Sequence, residues 1–137
     1  MEIVTKAAEM LAKSGEITLA SINENGYPRI CVLSKTKSEG IRKFWVSTGM
    51  SSAKVRHFKE NPKASACFYG GGNSVTLVGK VSVIQDHAVK TAMWLDWFIN
   101  HYPGGIDDPN YCILEFETGE ATLWIDNEFL TLRGEQI

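Results

Sequence analysis

Apolar residues recur along this chain with two different periods, and the places where the period switches mark its elements. Over residues 2 to 14, Ile3, Ala7 and Leu11 form one row and Val4 and Ala8 the next, a spacing that predicts an amphipathic helix. Ser14-Gly15 ends it, since glycine can take the left-handed cap conformation. Residues 16 to 23 read as a strand, and Asn25-Gly26 predicts a tight hairpin because both residues tolerate positive φ. The returning strand runs from Tyr27 to Lys35, with Pro28 near its start, where a missing N–H does least harm. A turn at Lys37-Ser38-Glu39-Gly40 leads into a third strand, Ile41 to Ser47.

A helix opening near Lys54 is stopped by Asn61-Pro62, and Ala64 to Tyr69 forms a fourth strand. The glycine-rich turn at 70–73 leads into a fifth strand, Ser74 to Gln85, with Val75, Leu77, Val81 and Val83 on one face. Gly79 sits in that row without a side chain, which predicts a bulge or a close approach of backbone. Asp86 is placed to cap a long helix through about Asn100, with Trp94, Trp97 and Phe98 on one side. Two last strands, Tyr111 to Glu117 and Glu120 to Asp126, are expected to pair around Thr118-Gly119, followed by a short tail. Many strands joined by short hairpins predict a mainly β, largely antiparallel domain with flanking helices, closed into a barrel or sandwich.

Bulk properties narrow the function classes. The 137 residues suit a single domain over 1–137, and a net charge of −2 without a basic stripe disfavours a nucleic-acid partner. No apolar run approaches a membrane span, and the first residues lack the pattern of a signal peptide. Cys31, Cys67 and Cys112 each lie inside a strand-like apolar run and read as buried reduced thiols, so a cytoplasmic location is expected. The three histidines show no metal-ligand spacing, and Gly72 to Val81 departs from a nucleotide-binding loop in its spacing and in the valine after Lys80. Asp107-Asp108, before a proline, reads as a turn and capping pair.

The stretch with the most chemistry is FWVSTGMSSAKVRHFKENP, residues 44 to 62. An apolar strand ends in hydroxyls and a glycine, and a helix then opens with a lysine. Free N–H groups at a helix start, Ser/Thr hydroxyls and a cation suit one anion, such as a phosphate. An ordinary strand-to-helix connection whose serines cap the helix has the same pattern. Trp124 alternates with Leu123 and Ile125 and so faces away from them, as Trp45 does from Phe44 and Val46. Large apolar groups on both strand faces imply packing against a second subunit.

Three segments together resemble one family: NENGYPRICVLSK, STGMSSAKVRHFKENPKASACF and YPGGIDDPNYCILEFETGEATLWID. In order over the full length they resemble the pyridoxamine 5′-phosphate oxidase-like split-barrel flavoproteins, and within them the short general stress protein group. The resemblance implies an antiparallel split barrel with Greek-key connections, forming a homodimer with FMN at the subunit interface. It assigns Thr48, Ser52 and Lys54 to the FMN phosphate, with Ser47 beside them. It runs the strand of Arg29, Ile30, Cys31, Val32 and Leu33 along the flavin, and makes Trp124 a wall of the flavin slot. Ala53 stands where the oxidases carry an arginine, so Arg56 or Arg29 is left to supply that charge. The segment NEFLTLRGEQI does not match the oxidases' substrate-binding arginine and histidine, which disfavours oxidation of pyridoxamine phosphate itself. The implied function is that of an FMN-dependent oxidoreductase with an unknown small-molecule substrate. The alternative is a non-catalytic flavin-binding stress protein, and a third reading gives the same barrel haem or a deazaflavin.

Overall fold

A computed structural model describes residues 1–137. Its strands are β1 (Glu16–Ile22), β2 (Pro28–Glu39), β3 (Lys43–Gly49), β4 (Lys63–Gly70), β5 (Asn73–Ile84), β6 (Tyr111–Ile125) and β7 (Glu128–Arg133). Three α-helices flank them: α1 (Glu2–Lys13), α2 (Ala53–Glu60) and α3 (His87–Met93). All pairings are antiparallel, in the order β3-β2-β1-β4-β5-β6-β7, and a further pairing of β3 with β6 closes the first six strands into a barrel. The order β3-β2-β1-β4 is a Greek key: three hairpin-connected strands, then a fourth returning through α2 to lie beside the first. The expected mainly β split barrel with flanking helices is therefore what the chain forms. No helix is long and apolar enough to cross a membrane.

Inward residues of the barrel alternate along each strand and meet in one core, with Leu19, Phe44, Leu77, Phe116 and Leu123 fully buried. The helix α1 adds Ala7 and Leu11 to that core. Its end is not the left-handed glycine expected: Ser14 is extended and Gly15 does not have positive φ. Instead Lys35 reaches over from β2, its ammonium donating to the Leu11 and Ala12 carbonyls, a cation at a helix C-terminus. A second, smaller cluster lies outside the barrel, where Met93, Phe98 and Tyr102 cover Trp45, Tyr111 and Ile113. The β3–β6 pair is thus buried on both faces, which accounts for the continuous apolar runs FWV and YCIL. Trp45 is accordingly covered by the chain itself.

Three expectations are corrected. The strand β6 does not turn at Thr118-Gly119 but runs unbroken from Tyr111 to Ile125, and the tail becomes β7. Thr118 is held inside the barrel wall, its hydroxyl donating to Ile41 O at 2.7 Å and its N–H to Arg42 O at 2.9 Å. The hairpin falls instead at Asp126 and Asn127, with φ of 52° and 66°, the left-handed pair a two-residue turn requires. The helix expected through Asn100 stops at Met93, because Trp94 turns extended and packs edge-on against Phe98 and Tyr111. A separate 3-10 turn, Asp96–Asn100, then leaves Trp97 half exposed. Of the cysteines only Cys112 is buried; alternation that puts Ala64, Ala66 and Phe68 inward leaves Cys67 exposed, and Cys31 is intermediate.

Gly79 does mark a close approach, at a bulge between Val78 and Gly79 in the β5–β6 ladder. A Cβ there would lie 2.0 Å from the Glu117 carbonyl oxygen, a backbone atom that cannot swing aside. Gly79→Ala should therefore cost about 2–3 kcal/mol, read as a lower urea midpoint. Gly15→Ala, which meets nothing within 4 Å, should change stability by less than about 1 kcal/mol. The core also predicts alkaline sensitivity. Burial pushes the Cys112 thiol from 9.0 to about 11 and the Tyr111 phenol from 10.0 to about 12. Both stay protonated in the fold where the unfolded chain has lost those protons, so stability is full below about pH 9 and falls as pH rises toward about 12. Cys112→Ala should flatten that fall between about pH 9 and 11 in urea midpoints measured against pH.

Candidate functional site

The end of β3 and the start of α2 meet at one lip of the barrel. Alternation along β3 sends Thr48 inward with Phe44 and Val46, and Ser47 outward on the side of Trp45 and Tyr102. Past Gly49 the chain reverses through Met50, Ser51 and Ser52. This reversal is clamped by Asn110, the residue before β6: Met50 N–H donates to Asn110 O at 2.7 Å and Ser51 N–H to Asn110 Oδ1 at 3.0 Å. Gly49 lets the clamp close, since a Cβ there would lie 2.9 Å from the Asn110 amide nitrogen. The N–H groups of Met50, Ser51 and Ser52 are all satisfied within the protein. The free donors of this region are those of the first turn of α2, from Ala53 to Val55.

Ser52 occupies the N-cap of α2 but makes no capping hydrogen bond. Its hydroxyl turns to Thr48 Oγ1 at 3.5 Å, and Lys54 Nζ lies 3.4 Å from the same Thr48 oxygen. Two hydroxyls, an ammonium and a helix start thus converge at the lip. Beside them lies a cavity of about 170 Å³ lined by Ser21, Arg29, Ile30, Cys31, Ala53, Lys54 and His57. Arg29 faces this space, whereas Arg56 turns away to the Glu24 carboxylate at 3.8 Å. The Cys31 thiol, raised by burial, donates to Leu19 O at 3.7 Å and stays protonated.

The sequence-derived candidates divide by strand face. Thr48, Ser52 and Lys54 are brought together, with Arg29 and Cys31 alongside. Ile30 and Val32 point to the outer face of the sheet and are 72% and 60% exposed, while Leu33 packs on the core. Ser47 lies across the strand from Thr48. Trp124 sits a dozen residues along β6 from Cys112, the partner of Thr48, and so lies far from the lip within one chain. It belongs to a cross-strand row of Tyr69, Ser74, Trp124 and Phe129 on the outer face. Tyr69 and Phe129 are 85% and 69% exposed, so the row is apolar and open. Sequence reasoning missed Asn110, Ser21 and His57. Asn110 and Ser21 reach the lip from other parts of the chain, and His57, one turn after Lys54 on α2, is marked only by its burial against Ser21.

Comparison with known proteins gives this geometry its relatives. Residues 3–125 match the family model described as pyridoxamine 5′-phosphate oxidase. A solved structure from Clostridium acetobutylicum, a protein related to general stress protein 26 of B. subtilis (pyridoxinephosphate oxidase family), superposes with a TM-score of 0.86. It is 30% identical, over 96% of this chain and 94% of its own. General stress protein 26 from Bacillus anthracis shares the fold at a TM-score of 0.80 and 20% identity, covering 96% of this chain and all of its own, 100%. A heme binding protein from Mycobacterium smegmatis shares it at 0.79 and 17% identity, over 98% of this chain and 59% of its own. No curated protein sequence matches the chain at a significant level. The match over almost the whole barrel, with the full-length likeness at 30% identity, establishes that the chain belongs to the pyridoxamine 5′-phosphate oxidase family.

Proposed function

We propose that this protein is an FMN-binding flavoprotein whose phosphate seat is the Thr48–Ser52–Lys54 group. The observation that carries this reading is Ser52, an N-cap serine whose hydroxyl leaves the helix uncapped and joins Thr48 and Lys54 instead. A phosphate monoester requires such partners: charge-assisted hydrogen bonds from an ammonium, hydroxyl donors and helix N–H groups. Arg29, beside Lys54 in the cavity, supplies the cation missing at Ala53, since Arg56 is engaged by Glu24. The isoalloxazine lies along β2 from Arg29 to Leu33, and the exposed apolar face bearing Ile30, Val32 and Trp124 packs on a second copy of the chain. In that homodimer Trp124 walls the flavin bound mainly by its partner, which its distance from its own lip requires.

When bound, FMN supplies hydride and electron transfer, and the protein's part is to place it and to shape access to it. Lys54 and Arg29 hold the phosphate, and the β2 backbone fixes the ring edge. The chain then acts as a flavin-dependent oxidoreductase on a small-molecule substrate, the alternative being a non-catalytic flavin-binding stress protein. The free thiols of Cys31, Cys67 and Cys112 suit a reducing compartment such as the cytoplasm.

Purified protein should be yellow, with a flavin absorption band, or become so when titrated with FMN. A haem spectrum, or no change with FMN, would reject the assignment. Bleaching by NAD(P)H with turnover above that of free FMN marks the oxidoreductase, and an unbleached yellow protein the non-catalytic alternative. Lys54→Ala should weaken FMN binding about ten-fold or more while leaving riboflavin binding nearly unchanged, because the lost partner is a phosphate contact. Equal losses for the two ligands would remove Lys54 from that role.

A further inference from the structure

The cavity beside the phosphate seat has a second wall built of buried polar groups. Ser21, near the end of β1, and His57, on the inward side of α2, are each 4% exposed and both line it. His57 Nδ1 stands 3.0 Å from Ser21 Oγ, and Nε2 stands 3.4 Å from Glu24 Oε2. Glu24 faces the ring from the β1–β2 turn, Arg29 and Cys31 line the same cavity from β2 and Lys54 from α2, and Arg56 lies beyond Glu24, 3.8 Å from its carboxylate.

The direction of each hydrogen bond follows from these partners. Glu24 is exposed and its carboxyl is held below the ordinary range, chiefly by its own backbone N–H and further by Arg56 and His57. An ionised carboxylate only accepts, so Nε2 carries a proton. In the neutral ring Nδ1 is then an acceptor, and the Ser21 hydroxyl donates to it. The hydroxyl then presents only lone pairs to the cavity, which oppose an anion. In the protonated ring Nδ1–H donates to Ser21 Oγ, and the serine proton is released toward the space shared with Lys54 and Arg29.

We propose that Ser21 is a further contact for a phosphate ester bound in this cavity, and that His57 is the positioning residue that aims its hydroxyl. Protonation of His57 and binding of the phosphate then favour each other, each by the same factor. The proposal rests on the FMN reading above and adds to it a proton-dependent grip on the phosphate.

The test titrates the full-length protein with FMN and riboflavin at about pH 6 and about pH 8. The phosphate's own second ionisation, near about pH 6, acts in the opposite direction and is common to all variants. The quantity read is therefore the difference between variant and wild type. Ser21→Ala should weaken FMN about ten-fold at the lower pH and far less at the higher, with riboflavin unchanged. His57→Gln should remove the part of the pH dependence that distinguishes wild type from Ser21→Ala, and Ser21→Thr should restore it. Because Ser21 and His57 are buried, the exposed Glu24→Gln provides a variant that leaves the core intact. It removes the anion facing Nε2 and should move the midpoint of the FMN pH profile downward. A Glu24→Gln midpoint equal to wild type, a His57→Gln protein with the wild-type pH slope, or equal FMN and riboflavin losses in Ser21→Ala would overturn the proposal. FMN binding that depends on Lys54 but not on Ser21 or His57 overturns this relay alone. A wild-type protein that binds no FMN overturns both.

Discussion

The pairing of β3 with β6 is the constraint on which the rest depends. It runs from Lys43 opposite Glu117 to Gly49 opposite Tyr111 and converts an open sheet into a closed wall. Its inner face stacks Phe44 on Phe116 with centroids 4.7 Å apart, and its outer face carries Trp45 and Ile113 beneath the cluster of Phe98 and Tyr102. A pair of strands covered on both sides cannot slip register without exposing one apolar set and burying the wrong one. The final rungs therefore fix Thr48 at the lip of the barrel. They also bring Asn110 against the turn that follows, so one ladder sets both the hydroxyl and the clamp.

What happens beyond that rung sets the α2 start apart from an ordinary capped connection. Two helix starts in this protein show the difference. Asp86 accepts the Val89 N–H at 3.1 Å and caps α3 in the ordinary way. Ser52, in the same position on α2, leaves its helix uncapped and turns toward Thr48 and Lys54. The turn before it is already satisfied by Asn110 and Gly49, so the polar groups left over point to a common space. Across the cavity, Ser21 and His57 add buried polar groups whose hydrogen bonds are set by Glu24. Such groups are costly to bury unless partnered, and here each has a partner.

The outer face has the opposite character. Alternation that packs Leu19, Ala66, Leu77 and Ala121 inward necessarily turns Ile30, Val32, Tyr69, Val78 and Trp124 outward. An apolar surface of this extent on an otherwise polar domain calls for a cover.

Much of this was legible in the residues. The two periods of apolar positions determined the helices and most strands, the hairpin at Asn25-Gly26 appeared with Gly26 at φ 81°, and the missing side chain at Gly79 announced its bulge. The grouping of Thr48, Ser52 and Lys54 was readable because strand end, turn and helix start lie within a few residues of one another. The Thr118-Gly119 turn was misplaced because glycine there marks a bend opposite a bulge, and only long-range bonds to Ile41 and Arg42 show that the strand continues. Cys31 and Cys67 were misjudged because an apolar residue type does not tell which face of a strand it occupies. The sequence by itself thus determined most elements, the mainly β antiparallel class and the local grouping of Thr48, Ser52 and Lys54, since these depend on residues near in the chain. Only the tertiary structure decided the rest: Asn110 as clamp, Ser21, Glu24 and His57 as one chain of hydrogen bonds, and the parting of Trp124 from the lip. These follow from barrel closure, which joins distant residues through strand register, and no local pattern encodes that register.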